Sequence, residues 1–510
     1  MRRWLSVGLA LVLITLLEFH FFPGHTYLRS DSQIFVAMIE RLAAPAFLSR
    51  DFVATPPHLV FTAYDEVTLL LHRLTQQDFQ SILAWQQLAC RASAVVGIFL
   101  LASSAGVKDF PALLIAAVVN MGAALPGAAV SATEPEPVPH AMAFSLCLLA
   151  LGLLANEKPL LSGFAGGVAL AYQPATAAIM WAAVALTFVL NRRLRPVLRP
   201  MLTILLVFLL LLANLAQLQP GVIDAGTFFR RISPSWLRIL RERTPEVMIS
   251  TWSGEAIAFY LLVFVGGVIA SARIWPSLNR QSRWMGALLL FGGLLSLPLS
   301  GILLEVYRWS LVPQFQPARA LLFTVALSLA AAPMAASRAA QMGKRFEAAA
   351  WCAFALAISV GTQFRTAAHP DPVARPAVAE LASWAKESTW GGSMFLFPDA
   401  GRAAYPGIFR AESIRAVYAD WIGGELSKYF EDFAREWDHR WHSTMGGDFS
   451  ARRLEGLLDL PVDYYVLRRT NALERVQPVY GTRDFVVYER HALKNERSPL
   501  RLIHNGKANY

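Results

Sequence analysis

Apolar segments long enough to cross a membrane recur along the first 364 residues of the chain. A membrane-spanning helix needs roughly twenty predominantly apolar residues. Eleven segments approach or reach that length: 4–22, 81–104, 111–131, 140–155, 160–172, 174–190, 201–218, 257–272, 284–304, 319–336 and 347–364. The fifth and sixth are short and meet at Gln173-Pro174, so they form either two spans or one broken element. The pattern predicts an α-helical polytopic membrane protein with about eleven transmembrane helices.

The orientation follows from the Lys and Arg residues near the ends of these segments, because cytoplasmic connections carry an excess of positive charge. If the N-terminus is cytoplasmic, every cytoplasmic connection is basic, and the short opposite loops 132–139 and 172–173 contain no Lys or Arg. The pattern therefore places residues after 364 outside. In a bacterium this predicts the inner (plasma) membrane, with a periplasmic C-terminal domain.

Composition supports a lipid environment. Hydrophobic residues make up 55% of the 510-residue chain and charged residues only 16%, where soluble domains carry about a quarter. The formal net charge of +10 fits this topology, and no basic run lies beside an aromatic platform, so no nucleic-acid partner is expected. The three cysteines all lie in apolar segments and predict no disulfide framework.

Two outer loops are long, 23–80 and 219–256. The first contains amphipathic segments at Ser32–Leu42 and Phe61–Leu74, and the second contains a basic segment from Phe228 to Arg243. Amphipathic helices of this kind can lie along a membrane surface, which is the placement we expect.

The last part of the chain has the pattern of a small soluble α/β domain. Residues 365–510 follow the membrane domain 1–364 and begin with a Pro-rich linker, His369–Pro376. Short apolar runs bounded by polar and turn residues predict strands at 393–397, 414–418 and 463–468 and a last hairpin, 476–480 with 484–489. Helices are expected at 377–388, 424–438 and 450–459.

Acidic and polar residues gather in connections predicted to share the outer side. They are Asp31, Glu134, Glu136, Gln173, Glu305, Tyr307, Arg308, Gln314, Gln316 and Arg319. A carboxylate can act as general base on an acceptor hydroxyl, a second can hold Mg²⁺ or Mn²⁺, and arginines such as Arg230 and Arg231 can bind a phosphate. Each of these residues also has a purely structural explanation. Asp31 would cap a helix and the glutamates would be solvated loop charges. Arg319 would be an interfacial anchor, and the loop arginines would be attracted to lipid headgroups.

The layout resembles the GT-C superfamily of membrane glycosyltransferases, which use polyprenyl-phosphate sugars. Asp31 matches the acid that follows the first span in that family, and Glu134 with Glu136 match the acidic position of the next outer loop. The resemblance implies sugar transfer from a polyprenyl-phosphate donor to a glycan, lipid or protein acceptor in the periplasm. Asp31 would then be the base, Glu134 and Glu136 a metal or acceptor site, and Arg319 part of the phosphate site.

Two other functions stay open. The break at Gln173-Pro174 favours a transporter or flippase of lipid-linked sugars, because interrupted spans often mark substrate sites. The first loop has a single Asp rather than an acidic pair, and Gln173 and His140 stand where the family pattern has His and Arg. These departures are compatible with a catalytically silent scaffold of the same fold.

Overall fold

The computed structural model describes residues 2–55, 62–218, 229–367, 375–496 and 499–503. Phe61, Phe228 and linker residues His369–Ala374, which belong to three of the predicted segments, lie outside the described residues. The chain forms two compact units. The first comprises Met1–Tyr27, Leu59–Ser233 and Pro245–His369, and the second comprises Leu28–His58, Pro234–Thr244 and Pro370–Tyr510.

The first unit is a helical bundle. Numbered in chain order, its helices are α1 Arg2–His20, α3 Tyr64–Thr75, α4 Phe79–Ser104, α5 Asp109–Asn120, α6 Pro139–Ala155, α7 Pro159–Tyr172, α8 Pro174–Leu190, α9 Arg195–Leu218, α11 Gly254–Ile274, α12 Arg280–Gly301, α13 Leu311–Phe315, α14 Leu321–Gln341 and α15 Arg345–Ala367. A π-helical turn, Ile302–Val306, extends α12.

Six helical stretches among the described residues are long and apolar enough to span a membrane: 3–20, 79–104, 192–214, 254–277, 280–306 and 311–341. Helices α5 to α8 are apolar but shorter. The predicted count of eleven spans is therefore not confirmed. The third predicted segment, 111–131, is helical only to Asn120 and continues into a two-stranded hairpin, β1 Ala124–Leu125 with β2 Val130–Ser131.

The bundle is held together by close helix contacts. A Cβ on Gly152 of α6 would overlap the backbone of Gly97 on α4, and one on Gly97 would overlap the backbone at Leu148. Small residues allow two membrane helices to approach this closely, and the approach gains van der Waals contact. Helix α14 is mostly buried, whereas α1 and α9 expose most of their apolar surface, as lipid-facing helices do.

The second unit contains a five-stranded mixed sheet. Its strands are β3 Met394–Leu396, β4 Ala416–Val417, β5 Tyr464–Arg468, β6 Tyr480–Gly481 and β7 Phe485–Glu489, in the order β4-β3-β5-β7-β6. Strand β3 pairs parallel with β4 and β5, and β7 pairs antiparallel with β5 and β6. Each strand overlaps a predicted one. The helices are α2 Ser32–Ala43, α10 Pro234–Arg243, α16 Arg375–Ser388, α17 Tyr405–Ser413, α18 Glu431–Thr444, α19 Ala451–Leu457 and α20 Arg490–Asn495.

Helices α2 and α10 pack inside this second unit, although both come from the predicted outer loops. The apolar face of α2, including Ile34 and Met38, is buried, and α2 contacts α17. Trp236 of α10 is buried and donates a hydrogen bond from Nε1 to the Ser427 carbonyl at 2.7 Å. The apolar faces that suggested a membrane surface are therefore covered by protein.

Candidate functional site

The loop 132–138, between β2 and α6, is held in place by Arg91 of α4. One Arg91 Nη atom donates to the carbonyl of Glu18 at 3.0 Å, and the other donates to the carbonyls of Gly24 at 2.6 Å and Glu134 at 2.8 Å. Arg91 is 3% exposed, so these carbonyls replace the water that a buried guanidinium loses. A single side chain thus joins the end of α1 to the acidic loop.

The predicted acids of this loop lie in an enclosed polar cluster. Glu134 accepts a hydrogen bond from the Ser131 backbone N–H at 2.6 Å, and its carboxylate lies 3.9 Å from Nε2 of His140. Glu136 and His140 are both buried. The plainer reading of these glutamates as solvated loop charges does not describe Glu136, because a buried carboxylate has lost most of its water.

Helix α3 adds two residues to this cluster that sequence reasoning left out of the site. The Tyr64 hydroxyl donates to the Pro137 carbonyl at 2.7 Å. Burial raises the pKa of Tyr64 well above its ordinary value, and the nearby Asp65 and Glu136 carboxylates add to that rise. Burial also raises the pKa of Asp65. Asp65 opens a helix on an amphipathic segment, so its sequence pattern matched a polar surface, and only burial distinguishes it.

A second group surrounds Arg319, at the start of α14. Its Nε donates to Oε1 of Gln316, while its Nη1 is buried and has no hydrogen-bond partner among the described residues. Arg319 lines a small cavity together with Ser300, whose buried Oγ also has no partner there. Glu246 and Gln316 line the same cavity. Two buried donors without acceptors, one of them charged, can be satisfied by an anion, but the cavity of about 10 Å³ has room for about one water, so a phosphate reaches them only if the cavity widens.

The β1–β2 hairpin connects the acidic cluster with the Arg319 cavity. Ala128, in its turn, lines the cavity, and Ser131, in its second strand, binds Glu134. Ser131 follows Ala128 by three positions, which is at most about 11 Å of extended chain, so one short segment links the two groups. The hairpin is constrained at Gly127, which has φ +79° and whose Cβ would lie 2.6 Å from the Trp252 ring.

Four other predicted residues lie on an exposed edge of the bundle. Arg230 and Arg231 are brought beside Tyr307 and Arg308, because the Ile232 N–H donates to the Arg308 carbonyl at 2.7 Å and a β-bridge pairs Arg231 with Trp309. All four side chains are exposed. They can meet a headgroup or substrate only from the surface.

Gln173 and Asp31 are two further predicted residues, and each precedes a helix. Oε1 of Gln173 accepts from the Thr176 N–H at 2.8 Å and so caps α8. Asp31 precedes α2 in the second unit and makes no capping hydrogen bond to that helix.

Glu134 and Glu136 form an incomplete set of ligands for a divalent cation. Among the described residues, three metal-binding side chains converge only at Glu242, Asp438 and His442 of the second unit. There Arg238 already pairs with Asp438 at 2.6 Å and with Glu242 at 3.5 Å. The acidic loop therefore does not by itself fit a tightly held ion, and Mg²⁺ or Mn²⁺ stays a prediction.

No family model and no curated protein matches the sequence. Among solved structures, the chain is similar to the arabinofuranosyltransferase AftD from mycobacteria, with a TM-score of 0.48 and 14% identity, and to a mutant of that enzyme, with a TM-score of 0.49 and 15% identity. The similarity covers 96% of this chain but only 40% and 41% of those chains. A likeness of this degree does not establish an activity.

Proposed function

We propose that this protein is a GT-C-type glycosyltransferase that moves a sugar from a polyprenyl-phosphate donor to a periplasmic or lipid-linked acceptor. The observation that carries the proposal is the buried, partly unpaired guanidinium of Arg319 in a cavity connected by one hairpin to a buried acidic cluster. The same unit contains helices that are long and apolar enough to cross a membrane, where a lipid-linked donor would lie.

In this proposal Arg319 and Ser300 bind the phosphate of the donor. As the bond between the anomeric carbon and the phosphate oxygen breaks, negative charge grows on the lipid phosphate, and a fixed guanidinium stabilises it. Because Arg319 is held by Gln316, little reorganisation is needed when that charge develops. The lipid phosphate leaves, and the acceptor oxygen forms the new bond to the anomeric carbon.

A carboxylate takes the proton of the acceptor hydroxyl. We assign this role to Asp65, because it is buried and directly follows Tyr64, which binds the acidic loop at the Pro137 carbonyl, and because burial raises its pKa and so makes it a stronger base. Asp31, which the family resemblance favours, is the competing assignment. Glu136 and His140 would position the acceptor beside the base.

The test is a transfer assay on membranes that contain the protein, supplied with radiolabelled polyprenyl-phosphate sugars. Arg319→Met should lower transfer about 10²–10³-fold, and replacement of the true base should lower it about 10²–10⁴-fold. Parallel Asp65→Asn and Asp31→Asn variants therefore separate the two candidates. The exposed Arg73 and Glu255 supply the controls Arg73→Met and Glu255→Gln, which should keep wild-type transfer.

The assay also separates the alternative functions. Label that moves to the opposite leaflet while it stays on its carrier would identify a flippase and overturn the transferase. If no donor loses label to a product, and Arg319→Met binds donor as the wild type does, a silent scaffold is the correct description.

A further inference from the structure

Two cavities meet at the opposite end of α14 from Arg319. Arg338 lies 19 positions after Arg319, which is about 28 Å along a helix. This end of the bundle carries Arg273, Arg280 and Arg283 and is the one that the positive residues assign to the cytoplasm. The cavities are therefore separate from the site proposed above.

The first is an apolar groove of about 470 Å³ between α11 and α12. Apolar and small side chains form most of its wall, among them Val268, Ala272, Gly286, Ala287, Leu290 and Phe291. A Cβ on Gly286 would meet no atom within 4 Å, so this glycine faces open space. Trp275 is 41% exposed at its mouth, at the level where aromatic residues mark a membrane interface.

The second is a polar cavity of about 350 Å³ that shares Pro276 with the groove. Ser277, Ser337, Arg338 and Gln341 line it. Nη1 of Arg338 is buried there without a hydrogen-bond partner, and no carboxylate in the described part of the chain forms an ion pair with this residue. A buried guanidinium nitrogen without an acceptor is costly, and an anion would satisfy it.

Arg283, which also lines the groove, does not offer a second unpaired guanidinium, because its hydrogen bonds stabilise the turn between the cavities. Its Nε donates to the Leu278 carbonyl at 2.9 Å and one Nη donates to the Pro276 carbonyl at 3.3 Å. The positive charge of Arg283 nevertheless stays at the rim of the groove. The turn thus presents fixed positive charge on one side and an apolar channel on the other.

We propose that the two cavities form one binding site for an anionic phospholipid. The headgroup phosphate binds Arg338, with Ser337 and Gln341 as further donors, and an acyl chain occupies the groove between α11 and α12. Basic pockets between membrane helices on the cytoplasmic side are suited to anionic headgroups. The adjoining groove selects a lipid over a free anion, because only a lipid fills both cavities.

The experiment is native mass spectrometry of the full-length protein in detergent, with phosphatidylglycerol and phosphatidylcholine of matched acyl chains as probes. The wild type should retain phosphatidylglycerol preferentially. Arg338→Gln should weaken that retention about tenfold, the loss expected for a charged hydrogen bond. Gly286→Leu should weaken it as well, by filling the groove without displacing protein atoms.

Matched controls lie on the same elements. Arg280→Gln removes an equal charge from the same end of the bundle, and Gly292→Leu adds an equal side chain on the outer face of α12, where open space also surrounds the Cβ. Both should retain lipid as the wild type does. Equal loss in Arg280→Gln and Arg338→Gln would overturn the site in favour of general charge attraction. Displacement of the lipid by inorganic phosphate, with Gly286→Leu unaffected, would show a free-anion site and also overturn it.

Discussion

The guanidinium of Arg410 donates from Nε to Oδ2 of Asp51 at 2.8 Å, and neither side chain is exposed to solvent. The two residues are 359 positions apart. Asp420 completes the group by accepting from the other end of the same guanidinium. Asp51 also accepts from the Val53, Ala54 and Val417 backbone N–H groups at 2.8–2.9 Å. A segment of the first predicted outer loop is thereby fixed in the core of the second unit.

Removing one partner of this buried group should destabilise the second unit strongly. We expect Asp51→Asn to lower its free energy of unfolding by about 1–3 kcal/mol, since an NH2 group replaces one of the two carboxylate oxygens that accept from buried N–H donors. Thermal unfolding in detergent, read by limited proteolysis within residues 375–496, measures the change. Asp459→Asn is the control, because Asp459 is exposed beside Lys494, and it should leave the unfolding temperature unchanged. Equal effects of the two substitutions would contradict the structural role of Asp51.

The stability of the second unit should also depend on pH through Glu425. Burial acts to raise the pKa of this carboxyl, but Lys428 and Arg243 lower it to about 2, with Arg243 Nη1 at 2.9 Å. A lowered pKa stabilises the folded state above the ordinary value of 4.5, and that stability is lost as the pH falls from there towards 2. Glu425→Gln should flatten the stability curve between pH 4.5 and 2, and the exposed Glu474→Gln should keep the wild-type curve. If Glu425→Gln kept the wild-type dependence of stability on pH, the ion pairs of Glu425 with Lys428 and Arg243 would contribute nothing to stability in this pH range.

Where α4 and α6 cross, Gly152 should not be replaceable by a residue with a side chain. Gly152→Ala would force a methyl group into the backbone of Gly97, and overpacking of this kind costs about 1–3 kcal/mol. The unfolding temperature in detergent should fall. Gly8→Ala, on α1 where no atom lies within 4 Å of the added Cβ, is the matched substitution and should be neutral. A neutral Gly152→Ala would mean that the helices are farther apart.

Arg91 should not be replaceable by lysine. Its planar guanidinium reaches the carbonyls of Glu18, Gly24 and Glu134 together, and a single ammonium cannot match that arrangement. We expect Arg91→Lys to expose the loop at 132–138 to protease and to lower transfer activity, while Arg73→Lys changes neither. Unaltered cleavage in Arg91→Lys would show that the loop is fixed by other contacts.

The sequence predicted the elements better than their arrangement. The strands of the C-terminal domain follow from short apolar runs between turn residues, and the predicted strand 463–468 differs by one residue from β5. Helix α17, which carries Arg410, was missed because Pro406 and Gly407 stand near its start. Asp65 is not predicted as a site residue, since nothing local distinguishes a polar helical face in water from one buried among other polar groups.

By itself, the sequence determined the class of protein, because uncharged apolar segments of sufficient length are stable in lipid and not in water. The sequence also predicted the apolar faces of Ser32–Leu42 and Phe228–Arg243. A hydrophobic face, however, does not show whether lipid or protein covers it. Only the tertiary structure brought α2 and α10 into the second unit and Asp51 to Arg410. Pairings across 359 positions depend on how the whole chain packs, which no local pattern encodes.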